Sequence, residues 1–126
     1  FNNENKKHKN EIDIKRGGIF ILVQSIRTLS LENKLFRTNT IKRIKELNKL
    51  NIIDDEFSKE LEEAFNFLAS VKLKSNLQNL DAGKEINNYV NPEDLNTMEK
   101  DLLKDSFKIV NKLKKKLEYH YKLSYV

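Results

Sequence analysis

Cysteine is absent from the 126-residue chain, which excludes a disulfide framework, a thiolate zinc site and a cysteine nucleophile, and suits a reducing compartment. Proline occurs once and glycine three times, too few for a β protein, which needs tight-turn residues about every 8–12 positions. Long apolar runs are missing too. The longest, Ile19 to Val23, has five residues, against roughly 20 for a helix that crosses a bilayer. Histidine is limited to His8 and His120. No HExxH-type ligand spacing, Walker-type phosphate loop or GxGxxG occurs, and no nucleophile turn marks a Ser–His–acid triad. The adjacent pairs Asp54-Asp55 and Glu62-Glu63 read as soluble helix surface. A non-catalytic module is expected. No signal peptide is visible, which favours a cytoplasmic location, and the sequence opens on Phe1 and not Met, as a piece of a longer protein would.

What is present is helical period. Residues that are 38% apolar and 34% charged supply one core of ordinary domain size, and the few breakers fall at Gly17-Gly18, Gly83 and Pro92. The expected architecture is all-α, an antiparallel bundle of about four main helices, two of them long. Residues 1–14, rich in Asn and Lys, read as a frayed arm or linker, and residues 15–126 as the bundle. After the paired glycines, Ile19, Leu22, Val23, Ile26 and Leu29 follow an amphipathic spacing. Phe20 and Ile21 add apolar surface on other faces, so this helix is expected to be covered on more than one side. Thr40 is the expected cap of a short helix carrying Ile41, Ile44, Leu47 and Leu50.

Asp54 is the expected cap of a helix of about 27 residues, about 40 Å long. It carries Phe57, Leu61, Ala64, Phe65, Leu68 and Val71, then Leu73, Leu77 and Leu80 on a widened buried face, and Gly83 ends it as a C′ glycine. Residues 84–95 read as a polar connection. Asn96 with Glu99 resembles a capping box at the start of a last helix carrying Met98, Leu102, Leu103, Phe107, Val110, Leu113, Leu117 and Tyr121.

The net charge of +5 is unevenly placed. Residues 104–126 hold seven lysines against Asp105 and Glu118, while the rest of the chain is neutral. Residues 34–49 are basic and 54–63 acidic, which reads as solvated faces of consecutive helices that attract each other. Lys114, Lys115 and Lys116 with Tyr119 and Tyr121 offer cations and rings to a nucleic acid, but a triple lysine on a helix makes a band and not a groove. The motif that stands out is Ile12-Asp13-Ile14-Lys15-Arg16-Gly17-Gly18. Two glycines let a backbone approach a ligand or a neighbouring chain, and a following helix start with two cations is an anion site. The same residues also suit a plain hinge before a helix.

IDIKRGG at 12–18, the apolar helix after it, Thr40 with Arg43, KLKSN at 72–76, Gly83, Pro92 and LNTME at 95–99 together resemble the nucleotidyltransferase substrate-binding domain family over residues 12–120. This helical domain follows a nucleotidyltransferase domain in bacterial signalling proteins, often with cyclic-nucleotide-binding or CBS domains further upstream. Protein-PII uridylyltransferases have a related architecture, and the helical partner domains of aminoglycoside nucleotidyltransferases are a looser analogy. The resemblance implies that Asp13, Lys15, Arg16, Gly17 and Gly18 form one substrate- or phosphate-facing patch, and that Arg27, Arg43, Lys72 and Lys74 bring further positive charge to a cleft. All six cations are then expected on one face. Where the family pattern reads Arg-Leu-Arg-His-Gln, this chain has Lys72, Leu73, Lys74, Ser75 and Asn76. Lysine keeps the charge but loses bidentate phosphate recognition, and Ser75 with Asn76 changes the polar contact.

The implied function is a non-catalytic accessory domain that forms a wall of the acceptor and nucleotide cleft. Its implied partners are an upstream nucleotidyltransferase domain of the same protein, which would hold Mg²⁺ and NTP, and a nucleotide or protein acceptor. A helical dimerisation or scaffold module without nucleotide contact is the alternative, with a homodimer as its partner, and a basic nucleic-acid-binding bundle is a further one. No membrane partner is expected.

Overall fold

Side chains that bond back to the backbone set most of the helix boundaries. The computed structural model describes residues 11–124, and among them four α-helices carry the fold: α1 (Phe20–Glu32), α2 (Thr40–Lys49), α3 (Asp55–Asp81) and α4 (Thr97–Ser124). Asp54 Oδ1 accepts the Phe57 N–H at 2.7 Å and starts α3, as expected of an N-cap aspartate. Asn96 and Glu99 form the reciprocal capping box of α4: Asn96 Oδ1 accepts the Glu99 N–H at 2.8 Å, and Glu99 Oε1 accepts the Asn96 N–H at 3.0 Å. That backbone donor, with the Lys74 ammonium 3.5 Å away adding a smaller pull, holds the Glu99 carboxyl below its ordinary pKa. At α2 the cap is Asn39, whose Oδ1 accepts the Lys42 N–H. Thr40, the expected cap, is instead the first helical residue.

Helices α1, α2 and α3 end alike. In each, a residue with positive φ (Lys34 at 59°, Asn51 at 60°, Gly83 at 71°) follows the C-cap. Beyond it the next N–H reaches back to Ser30, Leu47 or Asn79 at 2.7–3.0 Å, the Schellman arrangement. Gly83 was legible as such a stop. Asn51 stands at the end that the apolar spacing gives α2 and is of a type that favours this conformation, whereas nothing in the identity of Lys34 marks it as a stop.

Neighbours pack in a ring: α1 on α2, α2 on α3, α3 on α4, and α4 on α1. Lys74 meets Glu99 at one end of α3, and Phe57 lies under Lys112 and Lys116 near the other, so α3 and α4 are antiparallel. Gly18 faces Phe107 and Glu32 meets His120, so α1 and α4 run parallel. Leu22, Ile26, Ile44, Leu47, Leu61, Leu68 and Leu113 are fully buried at the centre. Helix α2 is short, and a second small layer covers the part of the bundle it does not reach. There β1 (Ile12–Asp13) pairs antiparallel with β2 (Tyr89–Val90), Ile12 opposite Val90 and Asp13 opposite Tyr89. A 3₁₀ turn over Pro92–Asp94 leads into α4.

Several expectations need correction. Residues 1–10 of the expected arm lie outside the described residues, but its end is packed: Ile14 is fully buried and its N–H donates to Asn88 O at 2.9 Å. The connection 84–95 is likewise not simply polar loop, since Val90 and Leu95 are buried. Phe20 is half exposed, because the described helices that cover α1 are α2 and α4, which leave its outer side open. Leu73, Leu77 and Leu80 are 60%, 53% and 55% exposed. The last turns of α3 extend past the start of α1, so their outer side meets no helix. Of the expected attraction between the basic and acidic blocks, Lys45 to Glu62 at 3.8 Å is realised, while Arg37 pairs with Glu46 inside the basic block.

Two contacts fix α1 at its ends. At the far end Glu32 accepts from Tyr121 Oη at 3.1 Å and pairs with His120 Nε2 at 2.8 Å. The His120 hydrogen bond, more than that from Tyr121, holds the Glu32 carboxyl below its ordinary value against a small opposing effect of burial. A carboxyl whose pKa is lowered by folding stabilises the fold above its unfolded pKa and loses that contribution as pH falls through the folded value. Glu32→Gln is therefore expected to destabilise the fold at neutral pH, by less than about 1 kcal/mol for so exposed a pair. The difference from wild type in thermal melts should shrink as pH falls below about 4. At the near end, a Cβ on Gly18 would stand 3.0 Å from both Leu68 Cδ1 and Phe107 Cε1. Gly18→Val is expected to cost about 1–3 kcal/mol through overpacking, read by chemical denaturation, with Gly83→Asn as a milder comparison in open space.

Candidate functional site

The sequence Lys-Arg-Gly-Gly-Ile does not precede a helix start. It forms a π-helical turn, Lys15–Ile19, that runs straight into α1, with the Phe20 N–H donating to Lys15 O. Such one-turn π insertions are frequent at functional sites. The turn lies across α3 and α4, and the two glycines differ in what they do there. Gly18 is wedged between Leu68 and Phe107 with no room for a side chain, whereas Gly17 is exposed and an added Cβ would meet the Phe107 ring at 3.4 Å. Close approach at Gly18 is thus to the chain's own helices, and the first-turn N–H groups belong to the π turn that begins at Lys15.

Beside Gly17 the surface opens into a cavity of about 660 Å³, lined by Gly17, Lys104, Phe107, Lys108 and Asn111. Lys104, Lys108 and Asn111 stand at i, i+4 and i+7 on α4 and so share one face. Both lysines are exposed. The site offers two ammonium groups, an amide, part of an aromatic ring and a stretch of backbone without a side chain, a set that can hold a phosphate and the flat ring beside it. Its volume lies in the ordinary range for small-molecule sites, about 300–1,000 Å³. Lys104, Lys108 and Asn111 were missed in the sequence, where they were read as part of an undivided basic tail. Their spacing around Phe107 was the available signal.

The other expected site residues fall into separate groups. Asp13 is half-buried in β1, opposite Tyr89, and Tyr89 O accepts from Ser75 Oγ at 3.4 Å. Half-buried Lys72 and Asn76 flank Ser75 on α3, but the residues of this segment that line a space with Val90 are Val71, Lys74, Ser75 and Gln78. Asn76 Oδ1 is sealed from solvent with no hydrogen-bond partner. Lys15 is exposed at the head of the π turn, and the side chain of Arg16 lies outside the described residues. Lys74, beside Ser75 and Val90, reaches Glu99 at 3.5 Å. Arg27 is exposed on α1, about 14 Å along the helix from Gly18. Arg43 is 8% exposed, and its guanidinium donates to Arg37 O, pinning the loop before α2. The expectation that all six cations share one face therefore fails at Arg43, which is used to close a loop at the other part of the bundle, and at Lys74, which is used to tie α3 to α4.

The C-terminal lysine band is also divided. The Lys112 ammonium sits 4.7 Å from the centre of the Phe57 ring, and Lys116 sits 5.7 Å from it while donating to Ile52 O at 3.2 Å. These cations secure α4 to the start of α3. Among the described residues no three His, Cys, Asp or Glu side chains stand where they could share a metal ion, and no helix is long and apolar enough to cross a membrane.

Comparison with known proteins adds one match. No curated protein and no solved structure matches the chain. A family model covers residues 1–121, which takes in the π turn, both strands and all but the end of α4. The glycine motif and the capping box that carried the resemblance thus sit within one matched span, and the chain belongs to the family described as putative nucleotidyltransferase substrate binding domain.

Proposed function

We propose that this chain is the substrate-positioning, non-catalytic domain of a cytoplasmic signalling nucleotidyltransferase, and that the cavity beside the glycine turn is the wall it presents to the nucleotide. The observation that carries this is the meeting of motif and cavity: Gly17 of the family-like IDIKRGG segment lines the same space as Lys104, Phe107, Lys108 and Asn111. Phosphate oxygens take charge-assisted hydrogen bonds from the two ammonium groups, and the bare backbone at Gly17 lets the ligand come close. Lys15, at the head of the same turn, adds to the positive potential. The lining includes no histidine and no carboxylate, so the contribution is orientation and charge, not proton transfer. Metal ion and reacting phosphates belong, on this proposal, to an upstream catalytic domain of the same protein, with the acceptor held between the two.

A ¹⁵N chemical-shift titration of the chain with Mg²⁺-ATP, Mg²⁺-UTP and a short single-stranded RNA tests this. Nucleotide shifts are expected at residues 15–18 and 104–111, and Lys104→Gln with Lys108→Gln should weaken binding about tenfold or more. Shifts with RNA alone, confined to residues 112–122, would overturn it in favour of nucleic-acid binding.

The exposed stripe Leu73, Leu77 and Leu80 favours a second reading, a helical dimerisation module. Light scattering would show a stable dimer in that case, and Leu73→Ser with Leu77→Ser would dissolve it. A monomer at about 100 μM, well above the range of specific dimers held by standard-size interfaces, counts against it.

A further inference from the structure

On the other side of α4 lies a groove of opposite character. It occupies about 380 Å³ between α3 and α4 and is lined by Glu60, Glu63, Ala64, Phe67, Leu102, Asp105, Ser106, Lys108 and Ile109. Ala64 and Ser106, both small, form the floor, and Phe67, Leu102 and Ile109 the apolar walls. Leu102 is 47% exposed, so this is apolar surface left facing water. Glu60 and Glu63 share one face of α3, with Asp105 across the groove.

Two features mark the groove as more than solvated helix surface. Glu60, Glu63 and Asp105 make no ion pair or hydrogen bond with any described residue, although the neighbouring Glu62 pairs with Lys45. Ser106 is 5% exposed, and its hydroxyl has no hydrogen-bond partner among the described residues. That hydroxyl is left to solvent at the floor of the depression, free to take a partner, and three unpaired carboxylates around it, against the single cation Lys108, make a local negative field on a chain whose net charge is +5.

We infer that the α3–α4 groove is a docking site for a short basic, amphipathic protein segment, one that places an apolar side chain over Ala64 and Ser106 and Lys or Arg beside Glu60, Glu63 and Asp105. Charge complementarity selects this occupant. An anionic ligand is repelled by the three carboxylates, and a wholly apolar segment leaves them desolvated without partners. The length of the lining, from Glu60 to Phe67, is about 10 Å and matches two turns of a helix laid in a groove. The groove shares only Lys108 with the cavity at Gly17, and the three carboxylates that select this occupant line the groove alone, so either reading can fail alone.

The test is a ¹⁵N chemical-shift titration with a 14-residue peptide of Lys and Leu at amphipathic helical spacing, alongside the same peptide with Glu for Lys. Because the chain is basic overall, bulk charge opposes the Lys peptide, and shifts it produces at residues 60–67 and 102–109 report the groove. Glu60→Gln, Glu63→Gln and Asp105→Asn combined should weaken its binding about tenfold, more at low salt than high. Asp81→Asn, Glu85→Gln and Glu93→Gln combined, an equal change of charge elsewhere, should leave it within about twofold. The inference is overturned if the Lys peptide shifts other residues, if the groove variant binds as wild type does, or if the Glu peptide occupies the same residues. Circular dichroism of both triple variants separates lost binding from lost fold.

Discussion

The packing of Gly18 between Leu68 and Phe107 fixes where α1 begins and how near it lies to α3 and α4. A side chain there would lift the first turn of α1 off both helices. Because the backbone fits into that notch, the π turn crosses the α3–α4 pair, Gly17 emerges beside Lys104 and Lys108, and β1 is aimed at β2. The same contact determines what is left uncovered. With α1 starting at that level, the last turns of α3 project beyond it, and among the described residues the β pair, the 3₁₀ turn and the start of α4 lie against them. The Glu32 contact to His120 and Tyr121 then holds the opposite end of α1, so the helix is positioned at two points and filled with leucine and isoleucine between them.

Helix ends were legible in the sequence wherever a side chain or a glycine does the stopping, as at Asp54, at Asn96 with Glu99, and at Gly83. They were less legible where a common residue adopts an uncommon conformation. Lys34 ends α1 with positive φ, and nothing in the identity of a lysine announces it, whereas Asn51, with the same conformation at the end of α2, is of a type that favours it. The leucines at 73, 77 and 80 show a different limit. Their spacing is that of a buried stripe, but periodicity reports which residues share a face and says nothing of whether another helix is long enough to cover it. The two-residue strands were invisible for a similar reason, since their pairing depends on where the π turn delivers residue 12.

For the candidate site, the glycine motif borders the cavity on which the proposed function rests, through Gly17 alone. The glycines were read as room for a ligand, whereas Gly18 serves packing and Gly17 alone borders open space. The cations expected to gather from distant positions are mostly used to hold the fold: Arg43 closes a loop, Lys74 ties two helices, and Lys112 and Lys116 cover Phe57. Those that remain available at the cavity, Lys104 and Lys108, come from one helix face. Lys108 borders both the cationic cavity and the acidic groove, so a single turn of α4 separates surfaces suited to ligands of opposite charge. On the functional reading proposed here, one side of α4 orients a nucleotide and the other recruits a basic segment of a protein.

The parallel alignment of α1 with α4 has a consequence for the order in which the molecule is made. The first helix completes its burial only against the last, with contacts such as Gly18 to Phe107 and Glu32 to His120 spanning most of the chain. Closing loops of that length costs conformational entropy before any contact repays it. During synthesis α2 and α3 can associate as they emerge, while the apolar face of α1 stays half uncovered until α4 follows. A ribosome-bound chain that stops short of residue 104 has its glycine turn but no lysines opposite, so the cationic cavity exists only once nearly the whole domain has left the exit tunnel.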